Sequence, residues 1–194
     1  MQFLKILAAG LGMAALCAGS ALAETDVIPV GTIKYDPARC WNSYIILAGT
    51  YPKLIDRNGN LVKEWDNWGA AAQPSKVLPG GHLLTSIYPP VAEGFQDQSA
   101  VAVLDWDNRI VRKFDKWQKV EQGAKGQPAA ADGSFWAARQ HHDFQLEGSS
   151  VGYYAPGMEP KTDSGNTLVL AHRNARNPKI SDKQLLDDVI LEVD

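Results

Sequence analysis

Short apolar runs separated by turn residues set the pattern of this chain, and two segments show it most clearly. Residues 54–65 and 103–114 align with an offset of 49 residues. In each, an apolar run ends in an aspartate, a cluster of Asn, Asp or Gly follows, and a second run ends in a large aromatic residue. Because Asn, Asp and Gly accept the positive φ angles of tight turns, both segments are predicted to be β-hairpins.

A third copy of the pattern begins at Asp188 and stops at Asp194, the residue that matches Asp56 and Asp105. The turn that should come next is missing. The chain is therefore predicted to be the truncated N-terminal part of a longer protein.

Other apolar runs favour the same all-β fold class. Residues 76–78 and 82–87 flank a Pro-Gly-Gly turn, and residues 140–146 and 166–171 form a further pair. About four strands in every 40–50 residues is typical of β-propeller blades, and no long amphipathic helix interrupts them. Residues 24–194 are predicted to form a partial β-propeller of about two and a half blades.

Two long connections are predicted to be loops. Residues 118–135 are rich in Gly, Ala and Gln, whereas residues 147–165 contain Tyr153 and Tyr154. Long loops in compact proteins are often functional, and the aromatic content of the second one favours an ordered loop over a site.

Residues 1–23 are predicted to be a secretory signal peptide. Lys5 supplies a short positive region, residues 6–16 are apolar, and Ala21-Leu22-Ala23 provides small residues at the cleavage positions. The apolar run is too short to cross a bilayer as a stable helix. The mature chain is therefore expected to be secreted, with no attachment to the membrane.

Composition narrows the set of partners. The chain has 19 Lys and Arg residues and 22 Asp and Glu residues. Cleavage after residue 23 removes Lys5, which leaves 18 basic and 22 acidic residues and a net charge of about −4. A mildly acidic chain gives no reason to expect nucleic acid or an anionic membrane surface as a partner. Of the two cysteines only Cys40 remains after cleavage. It cannot form an internal disulfide and is expected to be a small buried residue.

The densest chemistry lies in residues 138–144, which include Arg139, His141, His142 and Asp143. Neighbouring residues of a strand point to opposite faces, so His141 is expected to share a face with Asp143, and His142 with Phe144. Only one of the histidines should then face a given pocket, where Asp143 could hold its imidazole in orientation. The sequence leaves open which histidine that is.

A second polar cluster, His172, Arg173 and Asn174, follows the predicted strand 166–171. A guanidinium group matches planar oxyanions, so Arg173 is a candidate anion ligand. Histidine acts readily as base and acid near neutral pH, which makes His172 a candidate catalytic residue. A salt bridge between blades is an equal alternative for Arg173.

Structural roles also remain open for the two adjacent histidines. A metal site built from His141, His142, Asp143 and His172 is disfavoured, because adjacent histidines on one strand are poorly spaced for chelation. The sequence contains no phosphate-binding Gly-x-x-x-x-Gly-Lys loop and no Gly-x-Gly-x-x-Gly fingerprint. No metal or organic cofactor is therefore predicted.

Several longer blocks resemble the bacterial arylsulfotransferase family, the PAPS-independent aryl-sulfate sulfotransferases. The resemblance covers nearly all of the mature chain. Its blocks are GTIKYDP at 31–37, CWN at 40–42, LPGGHL at 78–83, RQHHDF at 139–144, YYAPGMEP at 153–160 and LAHRN at 170–174.

The resemblance implies a periplasmic six-bladed β-propeller whose site lies in the central channel. Such an enzyme moves a sulfuryl group from a phenolic sulfate ester to another phenol through a histidine intermediate. Its partners would be the small-molecule donor and acceptor. The nucleophilic histidine is expected in a later blade, beyond Asp194. The candidate catalytic residues here are His141, His142 and His172, and the candidate substrate-binding residues are Arg139, Asp143, Tyr153, Tyr154, Arg173 and Asn174.

Two other functions stay open, because propellers host many activities. One is a non-catalytic secreted propeller that binds a ligand or a protein at its channel rim. The other is a metal-dependent lyase or hydrolase on the same fold. The sequence also leaves open which phenols are used and whether the protein forms a homo-oligomer.

Overall fold

The computed structural model of this protein describes residues 32–68, 74–90, 96–120, 132–149 and 155–194. These residues form antiparallel sheets, and the one helical element among them is a 3₁₀ turn at Pro79–Gly81. The predicted all-β fold class is confirmed. The predicted signal peptide, residues 1–23, lies outside the described residues, as do Tyr153 and Tyr154.

The described part of the chain contains twelve strands. They are β1 (Ile45–Leu47), β2 (Lys53–Ile55), β3 (Leu61–Glu64), β4 (Lys76–Val77), β5 (Leu83–Pro90), β6 (Gln98–Leu104), β7 (Ile110–Phe114), β8 (Gln118–Val120), β9 (Phe135–Ala137), β10 (Gln140–Leu146), β11 (Thr167–Ala175) and β12 (Leu185–Val193).

The two repeated segments are hairpins, as predicted, and their turns use the same chemistry. In the β2–β3 turn, Asp56 Oδ1 accepts hydrogen bonds from the backbone N–H groups of Asn58 and Asn60, at 2.8 and 2.9 Å. In the β6–β7 turn, Asp105 Oδ1 accepts the N–H of Arg109 at 2.8 Å. The aspartate that ends each first strand therefore fixes the turn that follows it.

The largest sheet joins two antiparallel meanders. Strands β4, β5, β6 and β7 pair in sequence order, and so do β10, β11 and β12. The meanders meet where Gln98 of β6 pairs with Gln140 of β10. Strands β1, β2 and β3 form a separate three-stranded sheet.

Strand β6 is the centre of the core, since every residue from Gln98 to Leu104 is buried. Its alternate residues enter two hydrophobic clusters, one with Ala102 and Leu104 and the other with Val101 and Val103. Side chains of a strand alternate between faces, so the two clusters lie on opposite sides of β6. A strand buried on both faces holds the end of β10 at Gln140 in a fixed position.

Two predictions about local structure are wrong. The ends of the predicted loop 118–135 pair as β8 and β9, because Val120, Phe135 and Ala137 bury their side chains together. Cys40 was expected to be buried but is exposed. Within the described residues there is also no helix of the length and apolarity needed to cross a bilayer.

Candidate functional site

Three adjacent strands bring His141, His172 and Asp188 together at one end of the large sheet. His141 lies at the start of β10, His172 in β11 and Asp188 in β12. The register places His172 directly opposite Asp188. Residues directly opposite each other in an antiparallel pair share a face of the sheet. The cluster is therefore a product of strand pairing.

A β-bulge shapes the start of β10. The pairing of β10 with β11 is irregular between Gln140 and Phe144, and the φ angles of Arg139 and His142 are 54° and 58°. Just before this irregular stretch, the Arg139 carbonyl accepts a hydrogen bond from the His172 N–H at 2.9 Å. A non-glycine residue in such a left-handed conformation costs about 1–3 kcal/mol and persists only where its surroundings enforce it.

The bulge places the two adjacent histidines in different environments. His141 is 3% exposed, whereas His142 is exposed to solvent. Only one of the pair is thus buried at the cluster, and the buried one is His141. The expectation that His142 and Phe144 share one environment is wrong, because the positive φ at His142 breaks the strand alternation and leaves Phe144 in the core.

The rings of His141 and His172 are stacked, with centroids 3.9 Å apart and planes 21° from parallel. The Nε2 atoms of the two histidines lie 3.2 and 3.5 Å from the same oxygen, Asp188 Oδ1. His142 meets the His141 ring edge-on at 5.1 Å. One carboxylate oxygen and two imidazole nitrogens therefore converge on one spot.

The electrostatics of the cluster favour a neutral imidazole at His141. Burial is the main cause that lowers the pKa of His141, and the charge of His172 lowers it further, while Asp188 opposes them. Both ring nitrogens of His141 and Nδ1 of His172 are buried with no hydrogen-bond partner. The approach of His141 to Asp188 is thus close in distance but lacks hydrogen-bond geometry.

A buried ion pair, Arg139–Asp97, lies beside the cluster. Arg139 Nε lies 2.7 Å from Asp97 Oδ2, and the two side chains are 4% and 0% exposed. Arg139 Nη1 also donates to Gln118 Oε1 and Asn174 Oδ1, each at 2.6 Å. The other oxygen of Asp97 lies 3.7 Å from His172 Nδ1. Arg139 and Asn174, predicted to bind substrate, are occupied in a hydrogen-bond network that lies beside His172.

Arg173 lies on the opposite face of β11 from His172. Its Nη2 is 3.0 Å from Asp187 Oδ2, and the two side chains are 49% and 41% exposed. Neighbouring residues on β11 and on β12 point to opposite faces, so this pair is separated from the His172–Asp188 pair. Of the two roles considered for Arg173, the salt bridge is the one observed, although it joins adjacent strands of one sheet.

Asp143 does not orient a histidine, so that expectation is wrong. Its carboxylate accepts hydrogen bonds from Lys76 Nζ at 2.7 Å and from Gln145 Nε2 at 2.8 Å. Burial raises the pKa of Asp143, but these bonds and the Phe144 N–H outweigh it, so its net pKa is lowered. Asp143 therefore ties the β4 strand to β10.

Sequence reasoning missed the two carboxylates that do lie beside the histidines, Asp97 and Asp188. Asp188 was recognised only as the start of a third repeat, and Asp97 precedes β6 without any motif around it. Pairing of β11 with β12 would have to be known to place Asp188 opposite His172. No local pattern carries that register.

His141, His172 and Asp188 have side chains of the types that bind metal ions. One ligand atom each from His141, His172 and Asp188 lies within 4.8 Å of the other two. The same imidazoles can also exchange protons with a bound molecule. Comparison of the chain with protein-family models, with curated proteins and with solved structures finds no match.

Proposed function

We propose that this chain forms blades of an arylsulfotransferase-type β-propeller and that His141 and His172 serve its sulfuryl-transfer site. Three antiparallel meanders, β1–β3, β4–β7 and β10–β12, have the strand connectivity of blades, and the last two are joined into one sheet through the Gln98–Gln140 pair. Leu186 and Ile190 on β12 are 48% and 74% exposed, which is the apolar surface a neighbouring blade would cover. Secretion to the periplasm belongs to the same proposal.

The observation that carries the proposal is a buried imidazole stacked on a second imidazole beside a carboxylate. In sulfuryl transfer, the S–O bond of the donor ester breaks as an S–N bond to a histidine forms, and the donor leaves as a phenolate that takes up a proton. The acceptor phenol then attacks sulfur, the S–N bond breaks, and the phenol releases its proton. A neutral imidazole can accept that proton and return one to the leaving phenolate.

His141 and His172 are proposed as the proton-transfer and sulfate-binding groups. The lowered pKa of His141 leaves its imidazole neutral near pH 7, ready to accept a proton. His172 is 16% exposed and closer to solvent, where it can meet the sulfate oxygens. Arg139 and Arg173 both have carboxylate partners, so the proposal relies on imidazoles rather than guanidinium groups. The nucleophile is assigned, by the resemblance, to a later blade.

The test is transfer from 4-nitrophenyl sulfate to phenol by the protein expressed from its complete gene. His141→Ala and His172→Ala should each lower kcat/KM by about 10²- to 10⁴-fold, the usual effect of losing an acid–base group. His82→Gln is the matched control. His82 lies just before the first residue of β5, whereas the other end of β5, at Pro90, pairs with Gln98 of β6. The substitution should therefore leave the rate unchanged.

Acceptor-dependent transfer that survives both alanine substitutions would refute the role of the two histidines. Absence of transfer with every phenol tried would remove the enzyme proposal. Tight binding of phenyl sulfate without turnover would then support the alternative, a non-catalytic propeller that binds ligands at its rim.

A further inference from the structure

The donor spacing in the cluster of His141, His172 and Asp188 is that of a coordination sphere. A tetrahedral ion with bonds of about 2.0–2.1 Å holds its ligand atoms about 3.3 Å apart. The Nε2 atoms of His141 and His172 lie 3.2 and 3.5 Å from Asp188 Oδ1, and the three donor atoms fit within 4.8 Å. The two measured separations are therefore compatible with ligands around one ion.

A second, independent observation is the set of unsatisfied polar atoms at the same spot. His141 is 3% exposed, yet neither of its ring nitrogens has a hydrogen-bond partner, and Nδ1 of His172 has none. A buried polar group without a partner costs about 1–3 kcal/mol, so native structures contain few of them. A bound ion at Nε2 would satisfy the atom of His141 that faces Asp188.

The surroundings of His172 also fit a metal ligand. Metal-binding histidines usually direct their second ring nitrogen at a carboxylate, which fixes the tautomer and the ring orientation. With Nε2 of His172 directed at the ion, its Nδ1 faces Asp97 Oδ1 at 3.7 Å. That oxygen is buried and has no hydrogen-bond partner, while Arg139 holds the other oxygen of Asp97 in place.

We propose that His141, His172 and Asp188 bind a divalent transition-metal ion of the zinc type. Two of the three donors are imidazole nitrogens, which suit Zn²⁺ and its neighbours better than Ca²⁺ or Mg²⁺. Three protein ligands leave a fourth position for water or another small ligand, as in open zinc sites. Because both rings must point their lone pairs at one ion, binding opens the stack from its 21° arrangement.

This site differs from one made of adjacent histidines. His142 is exposed, and Asp143 is held by Lys76, so neither supplies a donor to the cluster. The ligands come instead from three strands, and their convergence depends on the bulge at His142 and on the β11–β12 register. The inference concerns binding alone and does not rest on sulfuryl transfer. A bound ion would occupy the Nε2 atoms of His141 and His172, so the ion-bound form and a form that transfers protons through these atoms would be different states of the protein.

The experiment is calorimetric titration of the untagged protein with Zn²⁺, together with the visible absorption spectrum of the Co²⁺ form. One ion per chain should bind, with the intense d–d bands of a four-coordinate site. Asp188→Ala and His172→Ala should each weaken binding by more than about 100-fold, since loss of a residue that only orients a metal ligand already costs about 10- to 100-fold. Asp188 is 70% exposed, so its replacement should leave the fold intact, and circular dichroism checks this.

Asp187→Ala is the matched control, because Asp187 neighbours Asp188 on β12 but pairs with Arg173 on the other face. It should leave zinc affinity unchanged. The proposal is overturned if no saturable binding occurs, or if Asp187→Ala weakens binding as much as Asp188→Ala does. Binding that neither Asp188→Ala nor His172→Ala alters would also overturn it. Since none of these measurements uses turnover, their outcome is independent of the sulfuryl-transfer test.

Discussion

Removal of the buried cation behind the site is the perturbation whose cost the structure defines best. Arg139→Met keeps an unbranched apolar stem of similar thickness but removes the guanidinium group and its charge. The Asp97 carboxylate, 0% exposed, then loses the guanidinium that lies 2.7 Å away. Gln118 and Asn174 lose their common donor in the same substitution.

Breaking a buried ion pair by removing one partner costs about 3–5 kcal/mol, because the other charge stays buried without compensation. Asn174 Oδ1 also loses its donor, whereas Gln118 Oε1 keeps the N–H of Asn174. We therefore place Arg139→Met in the middle of this range and expect a loss of about 4 kcal/mol in the free energy of unfolding. Asp97→Asn should cost about 3 kcal/mol. The double variant should cost less than the sum of the two, by about 2 kcal/mol, since neither group then lacks a partner for its charge.

Urea unfolding measures these losses. With a denaturant slope of about 2 kcal/mol/M, Arg139→Met should lower the unfolding midpoint by about 2 M. Arg173→Met is the control: it breaks the Arg173–Asp187 pair, whose side chains are 49% and 41% exposed, and should cost less than about 1 kcal/mol. Equal losses for Arg139→Met and Arg173→Met, or simple additivity of the Asp97 and Arg139 substitutions, would show that the buried pair does not support the fold as argued.

Two further predictions concern the backbone and the lone thiol. Gly148 has a φ of 78°, and a Cβ there would collide with the backbone carbonyl of Glu159. Gly148→Ala should therefore lower the free energy of unfolding, measured with urea, by at least about 2 kcal/mol. A near-neutral effect would contradict this placement of Gly148. Cys40 is exposed, so iodoacetamide should label it in the native protein as fast as in urea, as mass spectrometry of the Cys40 peptide can show; strong protection would contradict its exposure.

Strand positions could be predicted because the information is local. Asp56 and Asp105 each follow a strand directly, and each accepts hydrogen bonds from backbone N–H groups of the turn that comes next in the chain. A short sequence window therefore contains the whole hairpin signal. The strands β8 and β9 were missed for the opposite reason. Their pairing joins residues 118 and 137 across a Gly- and Ala-rich segment, and the side chains of Val120 and Phe135 are buried together.

The site could be predicted only in part. Of the three candidate histidines the structure brings two together, His141 and His172, whose rings stack. Their carboxylate partners could not be chosen, because Asp188 reaches them through the register of β11 with β12. Asp143 was the nearest carboxylate in sequence, but Lys76, 67 residues away, holds it. Nearness in sequence therefore did not predict the carboxylate partners, because these come from strands that pair across different parts of the chain.

The bulge explains why only one of two adjacent histidines, His141, enters the cluster. In a regular strand His141 and His142 would point to opposite faces, and neither the backbone nor the spacing would favour one of them. The left-handed conformation of His142 places its own ring in solvent and lets His141 stack on His172. Non-glycine residues adopt this conformation at a cost, and such strain is concentrated at functional sites. The buried pair of Arg139 and Asp97 lies directly beside the strained residues and fixes the chain there. The strained backbone, the buried ion pair and the stacked imidazoles therefore support the proposal that two imidazoles and a carboxylate act together at this point.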